Sequence, residues 1–236
     1  MKRPMASTNT RTRRNMKRNV CVAVMLIMYA VGLRAQSPTT TYPYLYDTFI
    51  CGTVVMDDGN RETRQLNVHL RAGKLHYLDN GIIKEAFLND VAAVEIGNDV
   101  FLPVFTSVMK VVAKNDNGCV ALQQLGDFEA AISGTGAYGT TATSSATMKL
   151  TSVQNDSQVN QNFMNVLNEK EQGVDLKIIS SYYIVTPKYK VKATRNDVEA
   201  SVPAEKVALL KSYVKEKKVK WRNPQSLLHI VDFLSE

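Results

Sequence analysis

The sequence predicts an α+β fold: an antiparallel β-rich body, built as a sheet, a sandwich or a partly open barrel, followed by a C-terminal helical tail. Three observations lead there. Short apolar or alternating runs follow one another from Phe49 to about Ala131. Turn-forming Asn, Asp and Gly punctuate them closely, which favours antiparallel neighbours because parallel pairs need long crossovers. After Thr194 the apolar period changes from two residues to about 3.6. Strands first and helices last place the helices on one face or end of the sheet. The expected organisation is a leader over 1–35, a β-rich domain over 36–193 and a helical tail over 194–236 packed on that domain.

Phe49 to Met56 is apolar and β-branched and reads as the first long strand, with Asp57-Asp58-Gly59-Asn60 turning the chain. Leu66, Val68 and Leu70 alternate with polar residues, Arg71-Ala72-Gly73 turns, and Leu75 and Tyr77 resume the alternation. Asn80-Gly81 suits a type I′ hairpin, whose two central positions both require positive φ. Further strands are expected over Ile82 to Ala86, Val91 to Ile96, Val100 to Phe105 and Val108 to Lys114, and Asn117-Gly118 makes another hairpin into Cys119 to Leu125. Residues 132–147 are small and polar with little to bury, and read as an exposed Gly/Ser/Thr loop. A short helix is expected over Ser157 to Lys170, then a last strand pair, Val174 to Val185 and Tyr189 to Ala193, around Thr186-Pro187-Lys188.

In the tail, Thr194 with Asp197 three residues on resembles a capping box with a shortened acid. Pro203 opens the next helix, which places Val207, Leu210 and Val214 on one face with Leu209 and Tyr213 beside them. Asn223-Pro224 supplies a cap and a first-turn proline for a final helix whose buried side is Leu227, Leu228, Ile230, Val231 and Leu234.

The first 35 residues read as a cleavable export signal. A basic stretch (Lys2, Arg3, Arg11, Arg13, Arg14, Lys17, Arg18) precedes an apolar run from Val20 to Leu33, and Ala35 offers a small residue before Gln36. That run is shorter than the roughly 20 residues a helix needs to span a bilayer, so no transmembrane helix is expected after cleavage. The whole chain has a formal charge of +7, with 29 Lys and Arg against 22 Asp and Glu. Eight of the 29 precede Gln36, where no acid occurs, so the remainder carries 21 basic and 22 acidic side chains and a charge of −1. No net field remains to attract polyphosphate, which argues against nucleic acid as a partner.

Cys51 and Cys119 are the cysteines left outside the leader. Outside the cytosol they either form a disulfide, closing a loop that stabilises by up to about 4 kcal/mol, or remain as two buried thiols on apolar strands.

Chemistry-bearing patterns are sparse. Gly134-Thr135-Gly136-Ala137-Tyr138-Gly139 matches a dinucleotide fingerprint as a string, but a Thr/Ser-rich stretch follows it where the fold requires a helix, so no cofactor is expected. His69 and His76 flank the Ala72-Gly73 turn, and pairing Val68 with Tyr77 and Leu70 with Leu75 sets the two histidines opposite each other on the solvent-facing side. They are half of a metal site at most, since the turn adds no His or acid and nothing motivates the neighbours Glu62, Asp79 and Glu85 as further ligands. The Asp/Asn/Gly clusters at 57–60 and 115–118 lack the alternating acids of a calcium loop and are better hairpin turns. No catalytic set is assigned.

Lys211, Lys215, Lys217, Lys218, Lys220 and Arg222, with Trp221 among them, form the strongest charge cluster. Cations near a helix C-terminus are favoured by its dipole, so a solvated helix end is one reading. A patch for an anionic partner, a lipid headgroup or glycan, is the other. Tyr42, Tyr44 and Tyr46 either stack on sugar rings or lie across a core.

Tyr42-Pro43-Tyr44-Leu45-Tyr46 before Phe49 and Gly52, the Gly-Ala-Tyr-Gly run at 136–139, the tail ending in Asp232-Phe233-Leu234 and the leader ending in Ala35-Gln36 together resemble a group of small exported proteins of Bacteroidota. That group has no assigned activity, so the resemblance implies an envelope address and transfers no catalytic residue. The expectation is an exported module, periplasmic, extracellular or associated with the outer membrane, that binds an envelope protein, glycan or lipid surface without catalysis. The alternative is a hydrolase of envelope polymers using strand carboxylates or the two hairpin histidines.

Overall fold

The computed structural model describes residues 39–40, 42–128, 162–164 and 176–236, all within one unit, Pro38–Glu236. The expected leader, the 132–147 loop with its glycine string, and most of the helix expected over 157–170 lie outside the described residues. Eleven strands are described: β1 (Thr39–Thr40), β2 (Ile50–Met56), β3 (Arg61–His69), β4 (Lys74–Asp79), β5 (Ile82–Glu85), β6 (Val91–Ile96), β7 (Asp99–Val104), β8 (Ser107–Asn115), β9 (Gly118–Gly126), β10 (Leu176–Val185) and β11 (Lys190–Lys192). Three helices follow, α1 (Arg195–Ser201), α2 (Ala204–Glu216) and α3 (Pro224–Ser235).

All pairings are antiparallel, and the sheet runs β1-β10-β9-β8-β7-β6-β2-β3-β4-β5 with β11 on the free side of β10. It curls into a half-barrel. The β3–β4 turn is thereby brought against the far strands, where the Val108 amide donates to the Gly73 carbonyl at 2.8 Å and the Gly126 amide to that of Leu70 at 2.9 Å. Asn80 and Gly81 take φ of 50° and 78°, the backbone a type I′ hairpin demands. The β8–β9 hairpin is built differently from the expectation. Asn115 pairs with Gly118, so Asp116 and Asn117 form its tip, and the Asn115 side chain accepts from the amides of Asn117 and Gly118.

Cross-strand partners share a face, so the register assigns the core. Val54, Leu66, Val68, Leu75, Val94, Ile96, Phe101 and Val108 lie on one face and pack together. Past a bulge between Val111 and Ala113, the same face continues through Ala113, Val120 and Ile184, which the helices cover. Helix α3 brings Leu227, Ile230, Val231, Phe233 and Leu234 to that surface, each worth about 1.5–3 kcal/mol when fully buried. Asp232 fixes its angle by accepting from Asn115 and Asn117 at 2.7 and 2.8 Å. The caps are those expected: Thr194 Oγ1 accepts from the Asp197 amide at 3.2 Å and Asn223 Oδ1 from that of Ser226 at 3.1 Å. Leu209 stays exposed, pointing away from the apolar face of α2.

Two further expectations are corrected. Val68 pairs with Leu75, Leu66 with Tyr77 and His69 with Lys74, a register two residues from the expected one, because the hairpin loop spans Leu70 to Gly73. Leu70 is apolar because the start of the loop is itself buried, and it does not extend the strand's alternation. The histidines are also not on a solvent surface: they are 4% and 3% exposed, with rings stacked 5.1 Å apart. The segment from Tyr42 to Phe49 lies over them, Tyr44 pairing with His69 in an isolated bridge. Cys51 and Cys119 are both free, Cys51 exposed on β2 and Cys119 buried on β9. Four strand spacings of about 4.8 Å separate β2 from β9 in the sheet order, well beyond the roughly 7 Å that a disulfide tolerates between Cα atoms.

Tyr44 Oη lies 2.8 Å from His76 Nδ1. Burial keeps the phenol protonated well above its usual range, so it donates and the neutral imidazole accepts. Burial also lowers the His76 pKa to about 4, with Glu85 opposing and Lys74 adding to the shift. The unfolded chain therefore binds the proton first. His76 contributes stability that is complete above pH 6.5 and is lost as the pH falls toward 4, by up to about 1.4 kcal/mol per pH unit. Urea midpoints measured from pH 7 to 4 are expected to show this slope and to lose it in His76→Gln, with the lower baseline of a broken Tyr44 bond.

Gly118 has φ of 154°, and a Cβ there meets the Val185 carbonyl oxygen at 2.3 Å. Gly59 also has positive φ, with nothing within 4 Å. Gly118→Ala is expected to cost at least about 2 kcal/mol and Gly59→Ala about 1 kcal/mol, the difference isolating the steric contact. Thermal melts of the two variants measure it.

Candidate functional site

The cationic cluster lies along the C-terminal half of α2 and the loop after it, and each of its Lys and Arg residues is exposed. Lys211, Lys215 and Lys218 converge on a cavity of about 500 Å³, with Leu210, Val214, Val219 and Trp221 as its apolar lining. Helix α1 supplies two residues that its sequence gave no reason to connect with the cluster: Arg195 and Glu199, one turn apart and so on one helix face. Val198, buried between α1 and the sheet, holds that face in place. Four cationic side chains thus surround one carboxylate, and Glu199 is engaged by Lys211 Nζ at 3.2 Å.

The remaining members of the predicted patch go elsewhere. Lys217 pairs with Glu216 at 3.4 Å and lies over the Tyr213 ring. Lys220 and Arg222 are exposed but outside the cavity lining, and the Lys220 amide donates to Ser226 Oγ at 2.9 Å.

Local backbone geometry explains how Lys218 reaches the site. Helix α2 ends in a Schellman motif, with the Lys218 amide donating to Lys215 and the Val219 amide to Val214. This places Lys218 at φ of 51°, the left-handed position that glycine normally fills. A side chain there costs about 1 kcal/mol relative to glycine. Trp221 follows in the α2–α3 loop, and its Nε1 is buried without a hydrogen-bond partner. An orphaned buried donor costs about 1–3 kcal/mol. Both departures from a relaxed loop fall on residues lining the same cavity.

Elsewhere the structure offers less chemistry. A groove of about 750 Å³ on the opposite face of the sheet is lined by Val100, Leu102, Val111, Cys119, Val185 and Pro187 among others. Two of its polar residues serve the fold: Asp99 accepts from Tyr46 at 2.7 Å and pairs with Lys110 at 2.7 Å, and Asn115 donates to Asp232 at 2.7 Å. Tyr42 and Tyr44 are core residues, not a sugar-stacking surface. No group of three or more His, Cys, Asp or Glu suited to a metal ion occurs among the described residues. None of the described helices is long and apolar enough to cross a membrane. Comparisons of the chain with protein families, curated proteins and solved structures give no match.

The lone carboxylate limits the cavity's positive potential. Glu199→Gln is expected to lengthen retention on an anionic column, and to change stability by less than about 1 kcal/mol because the Lys211 pair is solvent-exposed. Salt-gradient elution together with a thermal melt reads both.

Proposed function

We propose that the chain is an exported, non-enzymatic binding module of the cell envelope or its exterior, and that an anionic partner docks in the cavity between α1, α2 and the α2–α3 loop. One observation carries the reading: Arg195, Lys211, Lys215 and Lys218 converge around an apolar recess in a domain whose charge, without the expected leader, is near zero. Local concentration of like charge without a net field favours one specific anion site over general adhesion to polyanions. The export leader, the resemblance of the Tyr42–Tyr46 run and the tail to exported Bacteroidota proteins, and the short apolar run at 20–33 support the address. The burial of His69 and His76, 4% and 3% exposed, favours this reading over a hydrolase built on that pair.

Two measurements test this reading. The native protein is expected in the envelope or medium with a mass that begins at Gln36, and to be retained on heparin-agarose. The triple variant Lys211→Glu, Lys215→Glu, Lys218→Glu is expected to flow through, while the control Lys188→Glu, Lys190→Glu on the β10–β11 side stays bound. Native protein beginning at Met1 in the cytosol overturns the address; equal retention of wild type and triple variant overturns the site.

A further inference from the structure

We infer that the ligand of this cavity is a phosphate monoester on a small apolar or ring-bearing body, and that Lys218 is held in its unfavourable backbone position to contact it. The inference rests on the anion-binding reading and specifies its chemistry.

Shape sets the scale first. A recess of about 500 Å³ has the capacity of a small-molecule site, so it seats one anionic group and the body attached to it. Charge then selects among small anions. Four cations face one carboxylate that Lys211 already engages. A phosphate monoester carries about −1.5 to −2 near neutrality, and so complements the excess better than a singly charged sulfate ester or carboxylate. The ammonium groups of Lys211, Lys215 and Lys218 are compact donors suited to phosphate oxygens, and Arg195 adds a forked one.

The lining supplies the remainder. Leu210, Val214, Val219 and Trp221 provide contact area for the body of the ligand, and the unpartnered indole Nε1–H gains an acceptor if a ligand oxygen reaches it. Lys218 is the most telling residue. Glycine at that position would end α2 without strain, yet the chain keeps a lysine whose side chain lines the cavity. Strain retained at a site points to a role for the side chain that bears it. A soluble phosphorylated sugar and a phosphomonoester lipid headgroup present the same chemistry.

Trp221 is the chain's single tryptophan, so its fluorescence reports the site directly. Titration of the full protein with phenyl phosphate is expected to change that emission saturably, and phenyl sulfate to bind at least about fivefold more weakly. Lys218→Gly is expected to weaken phenyl phosphate about tenfold while its melting temperature holds or rises; Arg222→Ala is expected to change neither. Phosphatidylcholine vesicles carrying phosphatidic acid distinguish the sources. Co-sedimentation with them assigns a lipid headgroup, and phenyl phosphate binding without co-sedimentation assigns a soluble ester.

Equal affinity for the sulfate, or unaltered phosphate binding in Lys218→Gly, overturns the inference. If phenyl phosphate leaves the emission unchanged while heparin still retains the protein, the phosphate inference alone fails. If heparin retention is also absent, the anion-binding reading fails with it.

Discussion

A curled antiparallel sheet of this length has one apolar face to hide, and the rest of the molecule follows from how that face is covered. Curling lets one half of the face close on itself through Val54, Leu66, Leu75, Phe101 and Val108. The half carried by β8, β9 and β10 has no opposing strand, so Val120 and Ile184 need another cover. Helix α3 provides it. Its apolar stripe seats against β8 and β9, with Val231 beside the bare backbone of Gly118 and Asp232 clamping the β8–β9 hairpin. The helical tail is therefore the missing layer of the core, and no appendage.

That arrangement frees the outer side of the tail for other work. With α3 occupied by the sheet and α1 anchored through Val198, the space between α1, α2 and the α2–α3 loop is bounded by scaffold on one side and water on the other. Long cationic side chains suit such a boundary because their stems cover apolar surface while their charges remain hydrated. The result is a concave, positively charged recess on a rigid base, the setting in which a few polar contacts orient a ligand.

Most of the fold was legible because its signals are local. Asn80-Gly81, the Thr194 and Asn223 caps, Pro224 and the change of period after Thr194 each act within a few residues, and the structure contains all of them. The misreadings involve contacts between distant segments. Leu70 looked like one more strand position because its burial comes from β9, some fifty residues on, whose Gly126 amide bonds to it. His69 and His76 looked solvated because alternation assigned their face to water, while the cover comes from Tyr42, Tyr44 and Phe49, a segment without periodicity. In the site, the lysines of α2 were legible as a cluster. Arg195 and Glu199 show the i, i+4 spacing of one helix face, but nothing in the sequence reveals that this face turns toward α2.

The same distinction bears on where function resides. Two other costs have a folding counterpart: the buried histidine pair gains the Tyr44 hydrogen bond and ring stacking, and Gly118 gains a close approach between β9, β10 and α3. Lys218 and Trp221 have no such counterpart. A left-handed lysine and an unsatisfied indole N–H, three residues apart and on one cavity, make the α2–α3 loop less favourable than a glycine-terminated helix with its tryptophan bonded. Two such costs beside four converging cations leave unused interaction capacity at this recess.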